Sequence, residues 1–182
     1  PSLGLGEFNK SVIAGAVGVG LILIFMLLVY RIMGLVANIA LLLYIIIVLW
    51  IIVGLGAVLT LPGIAGIILS VGMAVDANVV IFSRIKEETL NGKSIRVATD
   101  QGFRRAMTTV VDSNLTTIIA AIVLYQFGTG PVKGFAATLM IGILASMFTA
   151  LVVTRIYMGV VIESRKFATR KWFGIKEGGV NA

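Results

Sequence analysis

The longest uncharged stretch of the chain constrains how it can fold. Residues 32–75 contain no Asp, Glu, Lys or Arg. As one straight helix, this stretch would be ~66 Å long, about twice the ~30 Å hydrocarbon core of a membrane. It must therefore turn back once. Its strongest helix breaker is Leu61-Pro62-Gly63, because proline suits the first turn of a helix but not its interior. The stretch predicts two membrane-spanning helices, over about 35–57 and 63–83.

The composition assigns the whole chain to the membrane class. Hydrophobic residues make up 59% of the 182 residues and charged residues 13%, whereas soluble domains are about 25% charged. The net charge of +7 is carried between and after the apolar stretches, so membrane topology explains it better than nucleic-acid binding does. The chain has no Cys and no His, which argues against disulfides and thiolate or imidazole metal sites.

Three further apolar stretches predict the remaining membrane helices. They cover about 11–31, 113–127 and 133–157, so the fold class is an all-α integral membrane protein with five transmembrane helices in residues 11–162. Residues 1–10 are an extracytoplasmic lead-in, 84–111 a cytoplasmic loop and 163–182 a basic cytoplasmic tail. Trp50 falls inside its span, so we expect it to pack against other helices rather than mark the membrane interface.

The loop carries the pattern of a short amphipathic helix. Ser94 is a suitable N-cap residue, and the apolar side would carry Ile95, Ala98, Gly102, Phe103 and Ala106. Such a helix either lies on the membrane surface or links two spans through solvent, and the pattern leaves both readings open.

The distribution of basic residues predicts the orientation. Of the 15 lysines and arginines, only Lys10 and Lys133 fall on one side of the predicted membrane, and the others share the opposite side. The positive-inside rule therefore places the start of the chain outside and its C-terminus in the cytoplasm. Because the chain starts with Pro1 and on the outside, we expect it to be part of a longer polypeptide with an earlier helix and an outer domain.

Asp76 is the first candidate functional residue. It is preceded by no charged residue back to Arg31, and it lies eight residues before Arg84, about 12 Å inside its helix. An ionised carboxylate at that depth is costly, and a buried carboxylate of this kind can bind and release protons. The alternative is an aspartate that only bonds neighbouring helices. Gly72, one turn earlier on the same face, is expected to give other groups access and to allow close helix packing.

Other polar residues along the chain are candidates for helix packing or for a proton relay. Asn78 points to a different face from Asp76 and is expected to bond a neighbouring helix, with Asn38 as a candidate partner. Asp112 and Thr116 share a face at the start of the fourth span, where Asp112 either caps the helix or takes part in proton transfer. A stripe of small residues at a spacing of four predicts tight helix packing: Gly134, Thr138, Gly142, Ser146 and Ala150.

Several motifs resemble the SecD family of protein-translocase accessory subunits, which belongs to the RND (resistance–nodulation–division) superfamily. The matching segments are Leu61-Pro62-Gly63-Ile64-Ala65-Gly66, Gly72-Met73-Ala74-Val75-Asp76-Ala77-Asn78-Val79, Arg84-Ile85-Lys86-Glu87-Glu88, Asp112-Ser113-Asn114-Leu115-Thr116-Thr117, 128–136 and 146–150. They follow the family's order over nearly the whole chain. The pattern at Asp76 is more similar to SecD, or to the SecD half of a SecD–SecF fusion, than to SecF.

The resemblance implies a fold, partners and a function. It implies the C-terminal transmembrane part of a six-helix half-bundle in a bacterial or archaeal cytoplasmic membrane. The partners would be SecF, the SecYEG translocon and a preprotein, and proton flow would drive preprotein export. Asp76 matches the family's proton-relay aspartate, and Asp112 a recurring aspartate of the next helix. We expect no enzymatic activity, no cofactor besides the coupling proton, no metal and no nucleic acid.

Two alternative functions remain: an RND-type exporter of drugs or lipids, and a passive scaffold of the translocon. The chain also supplies no Lys or Arg at the depth of Asp76. We therefore expect Asp76 to face the partner half through the helix side formed by Leu69, Gly72, Met73, Val79 and Val80.

Overall fold

The computed structural model describes residues 2–56, 60–164 and 173, and the described secondary structure is entirely helical. The helices are α1 Ser2–Tyr30, α2 Ile32–Gly54, α3 Leu61–Leu90, α4 Ile95–Phe127, α5 Gly130–Phe148 and α6 Thr154–Glu163, with a π turn at Thr149–Val153 joining α5 to α6. If α5, the π turn and α6 are taken as one helix, five helices are long and apolar enough to cross a membrane. The all-α fold class with five spans is confirmed.

The α1–α2 connection is a one-residue break at Arg31. Its φ of 51° is unusual for a residue with a side chain and reverses the chain direction at once. Gly34 makes this close hairpin possible, because a Cβ there would collide with the carbonyl of Met26. Beyond the hairpin α1 buries little of its surface within the chain.

The start of α3 follows the predicted Pro-Gly breaker, but its end does not follow the prediction. Thr60 caps the helix by accepting a hydrogen bond of 3.2 Å from the N–H of Gly63. The helix runs on past the predicted end at residue 83 to Leu90, where Gly92 with φ 87° provides the turn. No glycine or proline interrupts the segment between Arg84 and Leu90, so nothing in it ends the helix at the edge of the apolar stretch.

The predicted loop 84–111 is wrong as a separate element. Ser94 caps α4 as expected, accepting from the N–H of Val97 at 3.5 Å, but the helix then continues without a break to Phe127. The apolar side that carries Ala98, Phe103 and Ala106 is fully buried, and Gly102 lies against the backbone of Ile85 in α3. The apolar side of the amphipathic segment is therefore covered by α3, and its polar side, with Arg96 and Asp100, is exposed.

The core is organised around α3, which packs against α4 and α5. The buried apolar residues of α3 form one core cluster with those of α2, such as Tyr44 and Val48. Trp50 does not pack as expected: its side chain is 80% exposed and points away from the bundle near the end of α2. Residues 1–10 are largely the first turns of α1, and most of the tail 163–182 lies outside the described residues. The sidedness of both ends stays a prediction.

Candidate functional site

Asp76 opens into a groove between α3 and α4. The carboxylate side chain is exposed in the described chain, although the sequence around it is apolar. The groove encloses about 170 Å³. Its lining residues are Met73, Asp76, Ala77 and Val80 from α3 and Thr109, Val110, Ser113, Asn114 and Thr117 from α4. Asp76 is thus a carboxylate facing a small cavity with a mixed polar and apolar wall.

The polar wall of this groove is a row of hydroxyls on α4. Thr109, Ser113 and Thr117 follow each other at a spacing of four, which places them on one side of the helix. Ser113 donates to the carbonyl of Val110 at 3.1 Å, and Thr117 donates to the carbonyl of Ser113 at 3.1 Å. Because the hydroxyl hydrogens of Ser113 and Thr117 are used within the helix, the lone pairs of these two oxygens remain available as acceptors. Sequence reasoning missed Thr109 and Ser113, which the hydroxyl spacing of four could have identified.

The carboxylate of Asp76 has no hydrogen bond or ion pair with any residue in the described part of the chain. This agrees with the sequence, in which Asp76 is the sole charged residue between positions 32 and 83. The Asp76 carboxylate is therefore open to groups from outside the described chain.

Asp112 and Thr116 do not join this groove. Asp112 lies in the middle of α4, so the prediction that it caps the start of a helix is wrong. Thr116 donates to the backbone carbonyl of Asp112 at 3.0 Å, and both side chains are exposed. Their shared face is a different side of α4 from that of Ser113 and Thr117. Within the described chain, the structure does not bring either residue to Asp76.

Asn78 bonds a neighbouring helix, but not through the expected partner. Its side-chain oxygen accepts a hydrogen bond of 2.9 Å from the hydroxyl of Thr154 in α6. Asn38 instead donates to the carbonyl of Leu23 in α1 at 3.0 Å. The Asn38–Asn78 pairing is therefore wrong. The π turn just before Thr154 was not anticipated, and it belongs to the segment that places this hydroxyl.

The small-residue stripe of α5 lies against α3 and its capping residue. Gly134 lies against the hydroxyl of Thr60, and Gly142 lies against Ser70, whose hydroxyl is hydrogen-bonded to that of Tyr44 at 2.6 Å. Ser146 is fully buried and donates to the carbonyl of Ile143 at 2.8 Å. At each glycine a larger side chain would separate the helices.

Gly72 leaves its face open as expected but packs against no neighbouring helix in the described chain, and Val79 does not line the groove. A Cβ on Gly72 would meet nothing within 4 Å, so Gly72 does not pack two helices together in the described chain. Val79 packs against the main core rather than beside Asp76, whereas Met73 and Val80 do line the groove. The reason is angular, since Val79 is turned by about 60° around the helix from Asp76 and Met73 by about 60° in the opposite direction.

An ion-pair cluster around the buried Glu88 at the α3–α4 turn was missed from the sequence. Glu88 is 1% exposed, and its two carboxylate oxygens meet Lys93 and Arg105. Lys93 also bonds the side chain of Gln101. The cluster joins the end of α3 to the first half of α4. One signal in the sequence could have indicated it: Glu88 comes shortly before the Asn91-Gly92 turn, and Lys93 follows the turn directly.

Comparison with known proteins identifies the family. The model of the SecD/SecF protein-export membrane protein family, C-terminal part, matches residues 1–163. The protein translocase subunit SecD of Acidaminococcus fermentans is 55% identical over 97% of this chain and 42% of its own length. That of Pseudomonas aeruginosa is 47% identical over 92% of this chain and 27% of its own length.

A solved structure shows the same architecture. The crystal structure of SecDF from Thermus thermophilus, described as a translocon-associated membrane protein, superimposes with a TM-score of 0.88 at 41% identity. The match covers 91% of this chain and 23% of that one. The chain thus spans less than half the length of these relatives. With its helices and its motifs in agreement, the chain belongs to the SecD/SecF family of protein-export membrane proteins, and it corresponds to the C-terminal membrane part of SecD.

Proposed function

We propose that this chain is the membrane part of an accessory subunit of the Sec translocon that uses the proton motive force to promote preprotein export. In this proposal Asp76 binds and releases the coupling proton. Family membership and the names of the similar proteins support the export role. The position and surroundings of Asp76 support the proton role.

The observation that carries the proposal is the open, unpaired carboxylate of Asp76 in the α3–α4 groove. An ionisable residue within a membrane helix is costly and marks ion or proton pathways as a rule. A structural aspartate would be expected to hydrogen-bond its neighbours, as Asn78 does with Thr154. Among the described residues Asp76 has no such bond.

The hydroxyl row of α4 gives the proton a route along the groove. Ser113 and Thr117 present acceptor oxygens on the side of Asp76, and Thr109 lies one turn nearer the α3–α4 turn. Water between these oxygens would connect them, since the groove is open and large enough to hold several water molecules. Asp112 and Thr116 lie off this route, which makes Asp76 the stronger of the two aspartate candidates.

The proposed setting is the cytoplasmic membrane, with the start of the chain outside and the C-terminus in the cytoplasm. The excess of basic residues on one side supports this orientation. The exposed groove and the exposed outer sides of α1 and α4 leave apolar surface for the proposed partners, a SecF half and the SecYEG translocon. A cation from the SecF half would complete the site at Asp76.

The test is Asp76→Asn in the full-length protein, since the amide keeps hydrogen bonding but cannot ionise. We expect loss of the stimulation of preprotein export by the proton motive force in membrane vesicles, with normal assembly on the translocon. The matched control is Asp100→Asn, an exposed aspartate of α4 whose ion pair with Arg155 lies at the surface. It should export normally, because surface ion pairs contribute little.

Each alternative function gives a different result in the same assays. A passive scaffold would tolerate Asp76→Asn with unchanged export, and that outcome would falsify the proton role. An exporter of drugs or lipids would instead lose transport of a hydrophobic dye in cells that carry the variant, while preprotein export stayed intact. Asp112→Asn, made in parallel, shows whether the second aspartate shares the function of Asp76.

A further inference from the structure

A second, basic cavity lies about one helical turn from the Asp76 groove. This cavity encloses about 720 Å³ and is lined by Arg84, Gln101, Arg104, Arg105 and Thr108. Arg84 follows the groove residue Val80 by one turn of α3, and Arg105 precedes Thr109 by one turn of α4. Three arginines from two helices therefore line one open space, one turn along both helices from the groove.

The positive charge of this cavity is only partly balanced by nearby carboxylates. Arg84 pairs with Glu87 at 2.7 Å, and Arg105 shares the buried Glu88 with Lys93. Arg104 is exposed and has no ion pair among the described residues. A guanidinium has five N–H donors, so even the paired arginines keep donors free for another anion. The cavity therefore has unused capacity to bind negative charge.

The level of the cavity along the helices indicates which anion would meet it. Arg84 is the first charged residue after the apolar part of α3 that contains Asp76. On α4, the stretch from Thr108 to Phe127 has Asp112 as its single charged residue, so Arg104 and Arg105 lie where that helix leaves its apolar zone. Both helices thus place their arginines at the boundary where lipid phosphates lie, and basic pockets between helices at this level bind anionic head groups.

We propose that the cavity formed by Arg84, Arg104 and Arg105 binds the head group of an anionic phospholipid. The phosphate would accept charge-assisted hydrogen bonds from the guanidinium groups, and Thr108 and Gln101 would offer further polar contacts. The lipid would then lie about one helical turn from the groove that contains Asp76. Arginines that only set the membrane topology would not need to share a cavity. Lipid binding by this cavity and a role in topology alone can therefore be distinguished by experiment.

The experiment measures lipid binding to the purified full-length protein by native mass spectrometry. Dioleoylphosphatidylglycerol is titrated against dioleoylphosphatidylcholine, on the wild type, Arg104→Gln and the double variant Arg84→Gln/Arg104→Gln. We expect the wild type to prefer phosphatidylglycerol, and each lost arginine to lower that affinity by about fivefold. Phosphatidylcholine binding should not change. Arg104 is exposed and unpaired in the described chain, so its variant should fold normally.

The matched control is Arg96→Gln, an exposed arginine on the same helix that lines a different cavity. It should leave phosphatidylglycerol binding within experimental error of the wild type. Equal binding by wild type and the double variant would overturn the proposal, and so would an equal loss in Arg96→Gln. Displacement of phosphatidylglycerol by an equal concentration of inorganic phosphate would also overturn it, because the site would then take a soluble anion.

Discussion

Thr154 of α6 donates a hydrogen bond of 2.9 Å to the side-chain oxygen of Asn78 in α3, and both residues are buried. Asn78 also donates to the carbonyl of Ala74 in its own helix at 3.3 Å. Asn78 lies two residues after Asp76, so this bond fixes the part of α3 that carries the candidate proton site to the segment that follows the π turn. The orientation of Asp76 therefore depends on contacts made by the opposite side of its helix.

Replacing Thr154 by valine should destabilise the protein. Valine keeps the shape of threonine but leaves the Asn78 oxygen without its donor in a buried place, which costs about 1 kcal/mol in a membrane protein. The midpoint of thermal unfolding of the full-length protein in detergent measures this loss. Thr116→Val is the matched control, because Thr116 is exposed and bonds within its own helix. Equal midpoints for the two variants would contradict the assigned role.

Replacing Gly142 by alanine should force α3 and α5 apart. The added Cβ would collide with the side chain of Ser70, and the strain of such overpacking is about 1–3 kcal/mol. Ser70→Gly in the same chain should recover part of the loss by making room. Gly72→Ala is the control, since its Cβ meets nothing within 4 Å and alanine favours a helix. The midpoint of thermal unfolding distinguishes the two variants. An unchanged midpoint in Gly142→Ala would contradict the close packing of α3 and α5.

Replacing Glu88 by glutamine should loosen the α3–α4 turn. Glutamine keeps the size of the side chain, but Lys93 and Arg105 lose the charge that holds them to the end of α3. We expect faster hydrogen exchange of the backbone amides of residues 91–98, measured by mass spectrometry. Glu87→Gln removes an exposed pair with Arg84 and should leave exchange in this segment unchanged. Similar exchange in both variants would show that the ion pairs of Glu88 do not hold the turn.

Adjacent threonines of α4 allow a test of the proposed proton route. Thr117 lines the Asp76 groove and Thr116 does not, yet both donate to the carbonyl four residues earlier. If the groove conducts protons, Thr117→Val should slow proton-driven export several-fold, because it removes an acceptor oxygen beside Asp76. Thr116→Val should export like the wild type. This experiment depends on the proposed function, and equal rates for the two variants would remove the hydroxyl row from the route.

The membrane spans were accessible from the sequence because length and hydropathy decide them. A charge-free stretch of residues 32–75 cannot remain one helix across a membrane, and Pro62 marks the break. Helix ends outside the apolar zone were harder to predict. The helices α3 and α4 run on through charged sequence because no breaker stops them, and their contact is stabilised by Glu88 and by Gly102. Hydropathy does not report such contacts.

The candidate site was predictable in part. Asp76 is conspicuous as a lone charge in an apolar stretch, and sequence reasoning identified it for that reason. Its neighbours on α4 depend on how two helices face each other, which a single sequence does not specify. Asp112 drew attention because it is charged, whereas the structure places the less conspicuous Ser113 in the groove. The predicted partner of Asn78 was wrong because it also depends on how two helices face each other. The π turn changes which residue of α6 faces α3.

The π turn at Thr149–Val153 gives the chain one more residue than an α-helical path through the same height would need. The number of residues in this turn therefore sets the direction in which each later side chain of α6 points. We expect that deletion of one residue within 149–153 would convert the turn to α-helix and leave Thr154 facing Asn78. Deletion of one residue within α5 would instead rotate all that follows by about 100°. The segment is thus the place in this helix where the chain can change its length and keep its contacts.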